Sequence, residues 1–156
     1  MRKSTKRDFG VFQVGLKLVL RKGDKILFLR DNDEKKSWDW PGGRIDDVEY
    51  GAVDEKIIAR EVGEELGSAV RYTLGKPAFT LKRWTMRGGK KMCIFCVFYE
   101  AEFRSGTIKL SSEHSSYEWI DPKTFEMKRA DFSHKGEYAA LKKYFEKVHP
   151  DKNRGK

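Results

Sequence analysis

Glu61, Glu64 and Glu65 fall within five residues, in the stretch REVGEELG. At about 100° per residue on an ideal helix, the three carboxylates share an arc about 100° wide, beside the apolar stripe of Ile58, Val62 and Leu66. Glu61 and Glu65 stand at i and i+4, where like charges repel and cost helix stability. Arg60, four residues before Glu64, offsets part of that repulsion. Two readings follow. The carboxylates form a solvated acidic face, since Glu is a good helix former. Or they are oxygen ligands for a hard cation such as Mg²⁺, which takes octahedral oxygen ligands and retains waters and phosphates. A tight turn at Pro41-Gly42-Gly43 precedes the helix, and its glycines would let phosphates approach the backbone closely.

GGRIDDVE followed by REVGEELG resembles the Nudix box, G-x5-E-x7-R-E-U-x-E-E-x-G-U with U apolar. Gly43, Glu49, Arg60, Glu61, Val62, Glu64, Glu65 and Gly67 fall on its defining residues, and WDWPGGR looks like the family's lead-in. The spacing departs once. Ten residues, not seven, separate Glu49 from Arg60, a three-residue insertion that should bulge before the helix and that puts the role of Glu49 in question. Ser68 also stands where an apolar residue is usual.

The resemblance implies a hydrolase that uses Mg²⁺ or Mn²⁺ to cleave the diphosphate link of a nucleotide or nucleoside diphosphate derivative. It implies metal ligation by Glu61, Glu65 and the Gly43 carbonyl, with Glu64 as a ligand through water or a supporting carboxylate, and orientation of a glutamate by Arg60. Gly42, Gly43 and Arg44 are assigned to the substrate. The general base varies within the family. SSEHSSYEWID resembles a common segment of it, and Glu113 is the candidate there, a surface Glu being the alternative. Glu118 is read as structural, and His114 as a solvated loop histidine with substrate contact as the alternative. In LKRWTMRGGKK, Arg83 and Trp84 are assigned to substrate, by holding phosphate and stacking on a base; a solvated edge hairpin is the competing reading. Phe12, Trp38 and Trp40 either line the pocket or pack.

The elements that must position these residues are legible in outline. Residues 11–20 alternate apolar and polar as a strand; RKGDK turns, and ILFLR returns. Trp38 to Trp40 reads as a short strand. A helix runs from about Val53 to Leu66, its apolar face made by Ile58, Val62 and Leu66 with Ala59 beside them and Gly67 as its stop. Residues 69–83 and 91–103 read as two long strands joined by a turn, YEWI as another strand, and HKGEYAALKKYFEKV as a final amphipathic helix. The resulting expectation is an α/β chain, a Nudix-like α/β/α sandwich with a mixed sheet.

At 156 residues the chain fits one domain, residues 11–148, between basic tails at 1–10 and 149–156. Of the net charge of +9, residues 1–10 carry +3 and residues 147–156 another +3, so a dedicated nucleic-acid fold is not indicated, and only weak polyanion attraction through the tails is expected. No run of about 18 apolar residues suits a membrane helix. Gln13 and Lys17 interrupt the N-terminal apolar run, against a secretory signal. Cys93 and Cys96 form a CxxC within a strand, where positions three apart face opposite ways; they are read as two buried thiols in a cytoplasmic protein. The favoured substrate is soluble and (d)NTP-like. RNA 5′-end pyrophosphohydrolysis, or nucleotide sensing without catalysis, are the alternatives.

Overall fold

A computed structural model describes residues 8–149. Most of both basic tails lies outside that range. One seven-stranded sheet forms the centre. Its strands are β1 (Phe12–Lys22), β2 (Lys25–Asp31), β3 (Trp38–Asp39), β4 (Gly42–Arg44), β5 (Arg71–Arg87), β6 (Lys90–Ser105) and β7 (His114–Ile120). The helices are α1 (Asp54–Leu66) and α2 (Lys135–Val148). The main path runs β3-β2-β1-β6-β5, with β4 paired to β1 and β7 to β2. The β1–β6 pair is parallel and the others antiparallel, so the sheet is mixed.

β1 and β2 alternate between two cores. Leu16, Leu18, Leu20, Leu27 and Leu29 face α1, where Ile57, Ile58, Val62 and Leu66 meet them. Val19, Ile26 and Phe28 face α2, where Leu141, Tyr144 and Phe145 close the second core. The observed architecture is therefore an α/β/α sandwich. Each apolar side chain fully buried on α1 contributes roughly 1.5–3 kcal/mol, which holds the carboxylate helix against the sheet. The Tyr99 hydroxyl of β6 donates to Asp54 and ties down the start of α1.

Three local expectations change, and one open alternative closes. Ile57 rather than Ala59 completes the buried face of α1, Ala59 being exposed. The buried arc therefore runs from Ile57 through Glu65 and Ile58 to Val62, and draws the carboxylates inward. Gly42-Gly43 is not a tight turn but the body of β4, paired with Lys17 and Leu16 of β1. Trp38 and Trp40 belong to the α2-side core, against Phe28 at centroid distances of 5.5 and 5.3 Å, and Phe12 is exposed at the start of β1; none of the three lines the carboxylate pocket. Cys96 is buried but Cys93 only partly so. The inserted residues do bulge ahead of α1, as turn and bend at 50–52 after a single 3-10 turn over Asp47–Glu49.

Candidate active site

A cavity of about 360 Å³ opens where α1, β4 and the residues before β7 meet. Glu61, Glu64, Glu65, Arg44, Arg83 and Glu113 are among the residues that line it.

The glycines of β4 explain how α1 comes so close. A Cβ on Gly43 would collide with the Glu61 carboxylate, and one on Gly42, at φ 115°, would strike the Leu16 carbonyl. The Gly42 amide donates to Glu65 Oε2 at 2.7 Å. Register settles which peptide faces the helix. Ile45 N donates to Val14 O and Leu18 N to Pro41 O. In an antiparallel ladder the bonded pairs alternate, so Leu16 and Gly43 form the bonded pair between these two, and the Gly43 peptide turns toward β1. The Gly42 peptide, its amide already on Glu65, turns toward α1.

Arg60 organises the carboxylates. Its Nε and Nη2 donate to Glu49 Oε1 and Oε2 at 2.6 and 2.8 Å. The same Nη2 lies 2.9 Å from Glu61 Oε1, and Nη1 lies 3.1 Å from Glu64 Oε2. Glu49 thus reaches Arg60 despite the insertion, because the extra residues loop out after it. Hydrogen bonding to Arg60 holds the Glu49 carboxyl below its ordinary range, and the same bond raises the guanidinium of Arg60.

Glu65 is 6% exposed. Burial pushes its carboxyl up to about 7, against the opposing pull of Lys17 and the Gly42 amide. Burial also raises Glu61, with Arg60 opposing. Desolvation disfavours the charged form of both Glu65 and Glu61, and a divalent cation held between them would favour it.

On the opposite wall the sequence points to Arg83 but not to Lys17, Asp31 or Asp39. Lys17, on β1, is 4% exposed. Its Nζ donates to Asp39 Oδ2 and to the Trp40 carbonyl, both at 2.9 Å. Burial alone would depress Lys17, but Asp39 and Glu65 outweigh it and its pKa rises. For Asp39, burial is likewise overcome, chiefly by Lys17, and the carboxyl is held well below its ordinary range. Asp31 is pushed up to about 6 by burial and by Asp39. The available signals were a lysine inside an apolar strand, and an aspartate between two tryptophans.

His114 is no solvated loop residue. It opens β7 and is 6% exposed, because the preceding segment is pinned to the end of α1 by Lys109 N to Leu66 O and Ser111 N to Glu65 O. Glu113, just before it, is exposed on the pocket lip. Glu118 is an exposed strand residue. Arg83 reaches the pocket from β5, its Nη1 donating to the buried Glu137 of α2 at 2.6 Å. Trp84 does not. Neighbours on a strand face opposite sides, and Trp84, 49% exposed, stands under Lys91 on the edge hairpin. Arg44 lines the pocket and donates to Gln13.

A sandwich with two glycines backed onto a glutamate-bearing helix defines the class. The NUDIX domain model matches residues 12–141, and the chain belongs to the Nudix family, whose hydrolases act on phosphorus-containing anhydrides and generally depend on divalent metal. No curated protein sequence matches the chain. Among solved structures it is similar to a MutT protein from Methanosarcina mazei Go1, at 21% identity and a TM-score of 0.63, over 92% of this chain and 96% of that one. It is similar to a NUDIX hydrolase from Nitrosomonas europaea, at 16% identity and TM-score 0.67, over 91% of each chain. A C. elegans Ap4A hydrolase matches at 19% identity and TM-score 0.60, over 89% of this chain and 98% of that one. At these identities the likeness is one of fold.

Proposed function

We propose that this chain is a Mg²⁺-dependent pyrophosphohydrolase, with Mn²⁺ as a substitute, that cleaves the diphosphate link of a small (d)NTP-like nucleotide or nucleoside diphosphate derivative. The observation that carries this reading is the convergence of Glu61, Glu64 and Glu65 on one cavity that Arg44 and Arg83 also line. Such a cavity suits a substrate that is itself anionic and brings a cation with it. That the M. mazei neighbour is a MutT protein and the C. elegans one an Ap4A hydrolase is consistent with a nucleotide substrate.

Glu61 and Glu65 would hold the metal, with Glu64 supporting. The register favours the Gly42 carbonyl over that of Gly43 as the backbone ligand. When bound, the metal supplies charge neutralisation and a polarised water. The protein's own groups do the remainder. Arg60 fixes Glu61 and Glu64 in place, with Glu49 as its anchor. The Gly42 amide fixes Glu65. Arg44 and Arg83 face the phosphates and favour charge that builds on the leaving group. Glu113, on the lip, takes the proton of the attacking water as its oxygen bonds to phosphorus and the bridging P–O bond breaks. A non-catalytic sensor would have no use for so costly a carboxylate cluster. The test is a panel of nucleotides and nucleoside diphosphate derivatives with Mg²⁺, with products separated by chromatography. Metal-dependent release of pyrophosphate or of two monophosphate-bearing products is expected. No turnover of any member would overturn the reading.

A further inference from the structure

The wall opposite α1 contains a second constellation of ligand-type atoms. We propose that Asp31, Asp39 and His114 form a divalent-cation site distinct from the glutamates of α1, suited to an ion that accepts imidazole, such as Zn²⁺ or Mn²⁺. The three residues come from the end of β2, from β3 and from the start of β7, so β-pairing alone brings them together. One ligand atom from each lies within 4.8 Å of the others. His114 Nε2 stands 3.7 Å from Asp31 Oδ1 and 3.9 Å from Asp39 Oδ2, beyond hydrogen-bond length. Two ligands about 2.1 Å from one ion stand between about 3.0 and 4.2 Å apart, according to geometry. The observed separations fall inside that interval.

The second observation concerns where His114 points. It is 94% buried by its 6% exposure, and its Nε2 is aimed into the gap between the two carboxylates, at ion-pair rather than hydrogen-bond distance from each. Asp39 Oδ1 is buried without a hydrogen-bond partner among the described residues. Lys17 donates to Asp39 Oδ2, the oxygen that faces His114, and to the Trp40 carbonyl, so a bound ion would share that oxygen with it. Lys17 also halves the local negative charge. With Asp31 and Asp39 at −2 and Lys17 at +1, a bound M²⁺ leaves +1, in a cavity that Glu65 also lines.

The donor set separates this site from that of α1. Glu61, Glu64 and Glu65 offer only oxygen, the preference of Mg²⁺. One imidazole with two carboxylates favours Zn²⁺ or Mn²⁺ over Mg²⁺. Both sites border one cavity, and Asp31 and Asp39 also border a smaller recess with Arg83, Thr85 and His134.

The experiment reads metal binding, not turnover, and so is independent of the nucleotide reading. The full chain carrying Glu61→Gln and Glu65→Gln together is freed of metal and titrated with ZnCl₂ by calorimetry in millimolar Mg²⁺. One Zn²⁺ per chain should still bind, with an X-ray absorption shell of nitrogen and oxygen and no sulfur. Adding Asp31→Asn or His114→Gln should weaken that binding at least about 100-fold. Asp31 is near the surface, so its variant decides the matter if the buried His114→Gln fails to fold. Absence of Zn²⁺ binding in the double variant, a sulfur-containing shell, or undiminished binding in Asp31→Asn would each overturn the proposal.

Discussion

The two walls of the pocket are built on opposite principles. The α1 wall places Glu61, Glu64 and Glu65 on one rigid helix, with Arg60 a turn away, so its geometry is set by 3.6-residue spacing. The facing wall takes Lys17, Asp39, Asp31, His114 and Arg83 from five different strands, so its geometry exists only once the sheet has formed. The first is charge-dense and half-open, with Arg60 shared among Glu49, Glu61 and Glu64. The second is buried and partly neutralised, with Lys17 bonded to Asp39. A local wall can carry repulsion at modest cost, because the helix holds its shape whichever residue is replaced. A long-range wall relies on each ion pair to justify the burial of the other charges.

That contrast can be broken most forcefully at Lys17. Lys17→Met leaves Asp39 as a buried charge without its closest partner, and stability should fall by about 3–5 kcal/mol in chemical denaturation. Adding Asp39→Asn should recover much of that loss. If Lys17→Met is neutral, the facing wall is no more interdependent than the helix.

On the α1 wall the effect should appear in function. Glu61→Gln and Glu65→Gln should each reduce turnover on the order of 10²-fold or more while the protein stays folded. Added Mg²⁺ should raise the melting temperature of the unaltered chain and no longer do so in these variants. Glu55→Gln, in the first turn of α1 and away from the cavity, should retain most activity.

A pH titration of metal-free protein compares the walls directly. Glu65 ionises at about 7 in the fold and at 4.5 ordinarily, so the fold holds a proton that the unfolded chain has lost. Its contribution is complete below pH 4.5 and is lost as pH rises to 7, a decline of about 3 kcal/mol. Asp31, pushed up to about 6, adds a decline of the same sign from pH 3.8. Asp39, held low, acts oppositely, and its stabilisation is lost only as pH falls below 3.8. Glu65→Gln should flatten the decline between pH 4.5 and 7, and saturating Mg²⁺ should do the same in the unaltered protein.

The smallest effects should come from residues that border neither wall. Trp84→Ala should change turnover by less than about threefold, because its ring stands outside the cavity, against Lys91 and His134. Deleting three residues of 50–53 should leave the fold and Mg²⁺ binding intact, since Glu49 already grips Arg60 ahead of that loop. Loss of Mg²⁺ binding in a folded deletion variant would mean that the loop helps to position α1.

What the sequence by itself determined was the part governed by short-range repetition. α1 lies within a residue of its expected bounds, and α2, β1, β2 and the β5–β6 hairpin were each legible from apolar periodicity and turn residues. So was the glutamate cluster with its arginine, since all four side chains sit on two turns of one helix. Only the tertiary structure decided the rest. Gly42 and Gly43 read locally as a turn, but pairing with β1 made them a strand and chose which peptide faces Glu65. The parallel β1–β6 pairing joins residues some eighty positions apart, a distance at which local pattern carries no register. His114 looked solvated among serines until Leu66 and Glu65 drew the preceding segment against α1. Lys17 and Asp39 looked like single polar interruptions, because a buried ion pair can be recognised only when both partners' positions are known, and 22 residues of chain separate these two.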